Sequence, residues 1–448
     1  MGFDCYDCFE LYLGAVVHNH EGDGGYENRC DVGMTHPRTT LHRYSSRLRP
    51  KTTSNDRTFK FRESNTTYTS TSLTKTYSFI PQSIHHPKMS SHLKTLKSHY
   101  PWLQSPIITL APMRHYSGPK AALSVTSAGG LGFMNPQTTK EALFKDLGEA
   151  RDLVKTKYSR ILKTESELPS VASLPIGLGF LLWAVKLSDA IESVAQYRPA
   201  AVWLYGGHGG QKELDEWSEK LREASPGVKI WVMIGTLQEA RELVVSPNPP
   251  DVIVVQGFEA GGHGRATDGS SWTTLLPEVS EVVQGKIPLF VAGGIVDGRG
   301  VAAALAMGAA GVVMGTRFLA SEEIRISRGY QEHVLNVEDG AKSTTKTLLW
   351  NHLNGVYGWP KWLMPRGIIN RSFTDQQAGV SFEELQRLHD EAKAKGDAAW
   401  GVEGRTATYA GMGVGLIKEV KQAAAIVEEV RAEALAIIRG LAEMNSKL

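Results

Sequence analysis

Beyond residue 105 the chain alternates short apolar runs with longer segments whose apolar positions recur at helical spacing. Runs at 107–110, 123–126, 175–180, 201–204, 230–234, 252–255, 288–292 and 311–314 are mostly β-branched or small, which predicts eight strands. Segments 140–156, 189–197, 212–224, 237–245 and 273–283 predict the intervening helices. Strand, helix, strand at this spacing requires parallel pairing, because a parallel neighbour is reached only by a long crossover. Eight such units predict an α/β fold, a (β/α)8 TIM barrel over residues 100–320. A doubly wound open sheet meets the same local pattern and is the alternative.

The alternation stops after Leu319. Residues 321–404 are richer in Trp, Asn, His and charge, with a helix predicted over 382–395, and read as a smaller helical insertion domain. Helical periodicity returns over 413–441 through Val414, Ile417, Val420, Ala424, Val427 and Val430. Residues 405–448 are therefore predicted to end in a helix that returns to the barrel. Residues 1–99 differ in kind: an acidic start to Met34 precedes a basic, hydroxyl-rich stretch to Lys88 that lacks apolar periodicity. Such a composition cannot bury a core, so this part reads as a disordered N-terminal extension, with Met89 opening more ordinary sequence. The basic half is like a transit peptide, but the acidic start argues against one.

Composition narrows the function classes. A formal net charge of +2, from 49 basic and 47 acidic residues, provides no field for nucleic acid or an anionic membrane. The longest apolar run, 301–315, is too short to cross a bilayer, which takes about 20 residues. All three cysteines, Cys5, Cys8 and Cys30, precede the barrel, so neither cysteine catalysis nor a thiolate metal site is expected within it. Zinc held by these cysteines with His18, His20 and His36 would need an irregular spacing, and no metal is predicted. The final Ser446-Lys447-Leu448 matches the tripeptide read by the peroxisomal import receptor, which predicts a peroxisomal protein, with the cytoplasm as the alternative.

Chemistry concentrates at the predicted strand ends. The sixth run leads into Gln256 and then Gly261-Gly262-His263-Gly264, small residues around one imidazole, where barrel enzymes collect catalytic groups. The seventh ends in Gly293-Gly294, with Asp297-Gly298-Arg299-Gly300 opening the next helix, and the eighth ends in Gly315-Thr316. Loops after these two strands form the usual phosphate site of such barrels, and the amides near 297–300 are expected to face an anion. Tight turns alone would also explain the glycines. A P-loop and a dinucleotide fingerprint after the first strand are both missing, so a mononucleotide phosphate fits best. Ala111-Pro112-Met113 after the first run would let a planar ring lie against the main chain, and Gln256 can pair with a ring edge. His208, within Gly206-Gly-His-Gly-Gly210, rivals His263, and His115 ranks below both because it sits near a predicted turn.

Ala111-Pro112-Met113, Gln256 to His263, Ala292-Gly293-Gly294-Ile295 and Met314-Gly315-Thr316, in this order over 100–421, resemble the nitronate monooxygenases, fungal type. The resemblance implies an FMN-dependent barrel that oxidises nitronates or nitroalkanes with O2 to carbonyl compounds and nitrite. It implies FMN contacts at Ala111, Pro112, Met113, Gln256, Gly261, Gly262, Gly293, Gly294, Gly315 and Thr316, and His263 as the base. Tyr409-Ala410-Gly411-Met412-Gly413 is similar to the family's stretch that closes over the site. Some members have an asparagine near the flavin after the third strand, whereas this chain has Gly177-Leu178-Gly179-Phe180 there. An imidazole with an ordinary pKa of about 6.5 is suited to taking the α-proton of a nitroalkane near neutral pH. The competing readings are a flavin-dependent NAD(P)H quinone or enoyl reductase of the same superfamily, and a non-catalytic FMN-binding scaffold barrel.

Overall fold

The computed structural model describes residues 89–135, 139–159 and 174–445. The extension before Met89, with Cys5, Cys8 and Cys30, and the terminal Ser446-Lys447-Leu448 lie outside the described residues. Eleven strands are described: β1 (Ile108–Leu110), β2 (Leu131–Met134), β3 (Leu174–Leu181), β4 (Pro199–Tyr205), β5 (Lys229–Ile234), β6 (Val252–Gln256), β7 (Gly262–Arg265), β8 (Leu289–Ala292), β9 (Gly311–Met314), β10 (Thr344–Lys346) and β11 (Leu363–Ile368). Eight of them close a barrel in the order β1-β2-β3-β4-β5-β6-β8-β9. Every pairing is parallel, and closure is made by Leu110 of β1 opposite Met314 of β9. The doubly wound alternative is thereby excluded.

One strand lies elsewhere than the pattern predicts. Residues 123–126 belong to the helix Pro119–Ser127, and the second strand is β2, just after the turn at Gly129-Gly130. Gly118 caps this helix and Pro119 occupies its first turn, where proline's fixed φ suits a helix and its missing N–H costs nothing. Seven of the eight positions from Pro119 through Thr126 are buried and only Lys120 among them is exposed, so the helix lacks a continuous polar face and imitates a buried strand.

Large rings fill the barrel interior: Phe133, Trp203, Trp231 and Phe290, all buried. The Trp231 indole donates to the Tyr100 hydroxyl at 2.8 Å, so the residue after the helix Met89–His99 seals the amino-terminal end of the barrel. Functional space is left only at the carboxyl ends of the strands. A second layer stands above that end. Residues 321–404 carry helices such as Leu349–Leu353 and Phe382–Lys393, but also β10 and β11, which join β7 in an antiparallel sheet of order β10-β11-β7. These two strands escape the hydrophobic pattern because β10 has three residues and β11 contains Pro365 and Gly367. The helix Ala423–Asn445 returns to the barrel, where Arg431 Nη1 donates to Ala128 O at 2.8 Å and Glu433 accepts from Gly298 N at 2.8 Å. Among the described residues no helix is long and apolar enough to cross a membrane, and no three His, Cys, Asp or Glu side chains cluster as a metal site would require.

Candidate active site

A cavity of about 790 Å³ opens at the carboxyl ends of the barrel strands, beneath the added layer. Its size is that of a site for a cofactor and a small substrate together. The residues expected from the four motifs to touch a cofactor, and His263, line it. Ala111, Pro112 and Met113 follow β1, Gln256 ends β6, Gly293 and Gly294 follow β8, and Gly315 and Thr316 follow β9. Gly261, Gly262 and His263 also line it.

The wall between β8 and β9 is backbone. Gly293 and Gly294 have φ of 108° and 70°, which side chains rarely tolerate, so the main chain itself is presented to the cavity. The amides expected near 297–300 do not contribute. Asp297 caps its own helix by accepting from Arg299 N and Gly300 N, and Glu433 of the terminal helix takes Gly298 N. Two carboxylates at that helix start would repel an anion. The start of this helix therefore offers an anion no free amide at Gly298, Arg299 or Gly300. Asn135, which follows β2 and is 6 % exposed, lines the same cavity. The misplaced second strand concealed it. Gly179 and Phe180 also line the cavity, Gly179 lying directly against Pro112.

His263 stands on β7, not at the end of β6. That short strand pairs with β11, opposite Pro365, so the imidazole is held from the added layer while the chain tethers it to the barrel. Its carbonyl accepts from Tyr205 Oη at 2.9 Å and Gln256 Nε2 at 3.2 Å, which ties both elements together. Gln256 is thus half-buried and engaged, not a free surface amide. The Trp359 ring stacks on the imidazole, with centroids 3.4 Å apart and planes 8° from parallel. Nε2 lies 2.9 Å from Asn351 Nδ2, and Asn351 Oδ1 accepts from Tyr409 Oη at 3.2 Å. His263 does not keep the ordinary histidine pKa: burial lowers it to about 3, the Asn351 contact opposes the shift, and the charges of Arg114 and Lys346 add to it. The ring lines the cavity and is only partly exposed, so its cationic form is poorly hydrated.

Asn351, Trp359, Arg114 and Tyr205 all line the cavity and escaped sequence reasoning. Asn351 sits in the helix Leu349–Leu353, which is fixed because Leu349, Trp350 and Leu353 share a small core with Leu385. Nothing local in that helix marks its one inward amide. Tyr409 to Gly413 closes the site. Gly261 and the Ala410-Gly411 peptide are in such close contact that a Cβ on Gly261 would strike it, and Gly411 N donates to Thr316 Oγ1 at 3.0 Å. His208 is not on the cavity wall; its Nε2 lies 3.1 Å from Gly358 O, which braces the loop bearing Trp359. His115 lines the cavity in a left-handed turn with φ of 67°.

Comparison with known proteins accords with this arrangement. The sequence profile of the family described as nitronate monooxygenase matches residues 100–349. Nitronate monooxygenase NpaC of Metarhizium robertsii is 51 % identical over 346 residues, covering 77 % of this chain and 95 % of that protein. A nitronate monooxygenase of Neurospora crassa is 32 % identical, covering 76 % and 92 % respectively. A nitroalkane oxidase from Streptomyces ansochromogenes shares the fold with a TM-score of 0.58 at 23 % identity, over 77 % of this chain and 99 % of its own. With a profile match over more than half its length and a half-identical relative matched almost end to end, the chain belongs to the nitronate monooxygenase family, whose members are flavin-dependent oxidoreductases.

Proposed function

We propose that the cavity holds FMN and that the chain uses it with O2 to convert alkyl nitronates and nitroalkanes to carbonyl compounds and nitrite, His263 acting as the base. The observation that carries this reading is the meeting of four separated motifs on one cavity, with the His263 imidazole, held uncharged by burial, on the same lining. Bound flavin would supply the one- and two-electron chemistry that no side chain offers. Ala111-Pro112-Met113 and Gly315 pack side by side as one stretch of wall against which a flat ring can lie, with Gln256 and Asn135 as polar groups on the same cavity. The backbone of 293–295 and 315–316 suits its phosphate. His263 is uncharged at neutral pH and so able to accept a proton. The imidazolium it becomes is stabilised only once the substrate carries the negative charge of a nitronate beside it. Arg114, also on the wall, favours the same anion.

Heat release of the cofactor and chromatography against FMN and FAD standards test its identity, and nitrite measured on alkyl nitronates tests the reaction. FMN and nitrite are expected. FAD would overturn the cofactor assignment, an intact yellow protein without nitrite would support the scaffold reading, and NAD(P)H bleaching without nitrite the reductase. The terminal Ser446-Lys447-Leu448 supports peroxisomal import as the location. An amino-terminal fluorescent fusion should be punctate and turn diffuse when Leu448 is removed; diffuse fluorescence with the intact tail would contradict import.

A further inference from the structure

His263 has two ring nitrogens and only one can serve as the base. Trp359 covers a face of the ring and Asn351 occupies Nε2, so the nitrogen left for substrate is Nδ1. In the arrangement described, Tyr409 gives its proton to Asn351 Oδ1, which turns the Asn351 N–H groups toward Nε2. A neutral imidazole that accepts at Nε2 must carry its proton on Nδ1. That form has no lone pair facing substrate. A carboxamide has ends of nearly equal size, and turning it over preserves both contacts with their directions reversed. Nε2–H then donates to Asn351 Oδ1, while Asn351 Nδ2 donates to the Tyr409 hydroxyl, which accepts as readily as it donates.

We propose that Asn351, backed by Tyr409, is the positioning residue that sets which nitrogen of His263 carries the proton, and that the base works with the Asn351 amide turned so that Oδ1 accepts from Nε2–H. This extends the assignment of His263 as base and rests on it. In the turned state Nδ1 holds the lone pair and takes the α-proton, the C–H bond electrons pass to the nitro group as the nitronate forms, and the imidazolium keeps its second proton at Nε2 against an amide oxygen. The change of tautomer moves one proton from Nδ1 to Nε2 through solvent before substrate enters.

Three features of the structure make the amide suited to this task. Asn351 is 3 % exposed, so water does not compete for either end. Tyr409 is fixed from behind, because Tyr330 Oη donates to the Tyr409 carbonyl at 3.0 Å. Burial raises the Tyr409 hydroxyl above its ordinary pKa, so it stays protonated and serves in either direction. The other polar groups around the imidazole are Arg114 and Lys346, both cationic, and Tyr205, whose hydroxyl is spent on the His263 carbonyl. Asn351 is thus the side chain seen to bond the imidazole ring itself.

The test joins spectroscopy to kinetics. Nitrogen-15 NMR of histidine-labelled, flavin-loaded protein, with His263→Asn to assign the signal, is expected to show a proton on Nε2 and a bare Nδ1. Asn351→Asp offers oxygen only, and should raise the acid limb of kcat/KM for a neutral nitroalkane by at least about one pH unit. Asn351→Leu should lower kcat/KM on neutral nitroalkane roughly 100-fold and on preformed nitronate only a few-fold. Tyr409→Phe, a milder change, should move the nitroalkane-to-nitronate ratio in the same direction. A bare Nε2 in the active wild type, an unmoved acid limb in Asn351→Asp, or an unchanged substrate ratio in Asn351→Leu and Tyr409→Phe would overturn the proposal. Wild-type inactivity on preformed nitronate would instead strike at the oxidation reaction itself, which the NMR signal does not depend on.

Discussion

Replacing His263 by Asn is expected to lower kcat/KM for a neutral nitroalkane by about 10²- to 10⁴-fold, the range that a positioned base contributes. Oxidation of preformed nitronate should fall by less than about 10-fold, because the α-proton is already gone. The amide keeps approximate size and polarity, so Trp359 retains a flat partner and β7 keeps its pairing with β11. The pH dependence follows from the same environment. Burial holds the imidazolium form down to a pKa of about 3, so the neutral ring, with one nitrogen free of a proton, is present throughout the neutral range and is lost only in strong acid. The wild-type acid limb for nitroalkane is therefore expected well below the ordinary pKa of about 6.5. Stopped assays of nitrite on both substrates from pH 5 to 8 check both points. Equal losses on the two substrates, or a limb near 6.5 that vanishes in the variant, would contradict the assignment.

Gly293→Val is expected to give a folded protein that purifies with little flavin. Valine at a φ of 108° is strained by about 1–3 kcal/mol. Its Cβ would also come within 3.1 Å of Gly257 O, a backbone atom that cannot swing aside. The loop must shift, and with it the backbone proposed to face the phosphate. Strain of that size leaves most of a large barrel folded, since the core of Phe133, Trp203, Trp231 and Phe290 is untouched. The flavin-to-protein absorbance ratio, compared with far-UV circular dichroism, separates the two effects. Full flavin occupancy in this variant would mean that the end of β8 is not a cofactor wall.

The parts that the sequence revealed are those where burial has a period. Seven of the eight barrel strands were visible because each is a short buried run between helical segments, and among them the pattern failed only at the helix Pro119–Ser127, which exposes just Lys120 and Ser127. That single slip had a chemical cost, since it hid Asn135 at the end of β2. The glycine motifs were legible because backbone that must approach another group closely leaves few choices of residue. The partners of His263 were not. Asn351 and Trp359 come from a layer 88 and 96 residues further along, and their roles depend on how that layer sits on the barrel. The histidine itself was found for a partly mistaken reason: it stands on β7, whose sequence Gly-His-Gly-Arg has no strand signature, and burial moves its pKa far from the value that made it attractive.

The central claim is that this cavity binds a flavin which takes electrons from nitronate. Anaerobic titration of the purified yellow protein with an alkyl nitronate, followed by admission of O2, tests it most directly. The visible flavin absorbance should change on titration, return with O2, and release nitrite in proportion, while NADPH alone leaves it unchanged. A protein that is colourless and cannot be reconstituted with flavin, or whose flavin responds to NADPH and not to nitronate, would contradict the account.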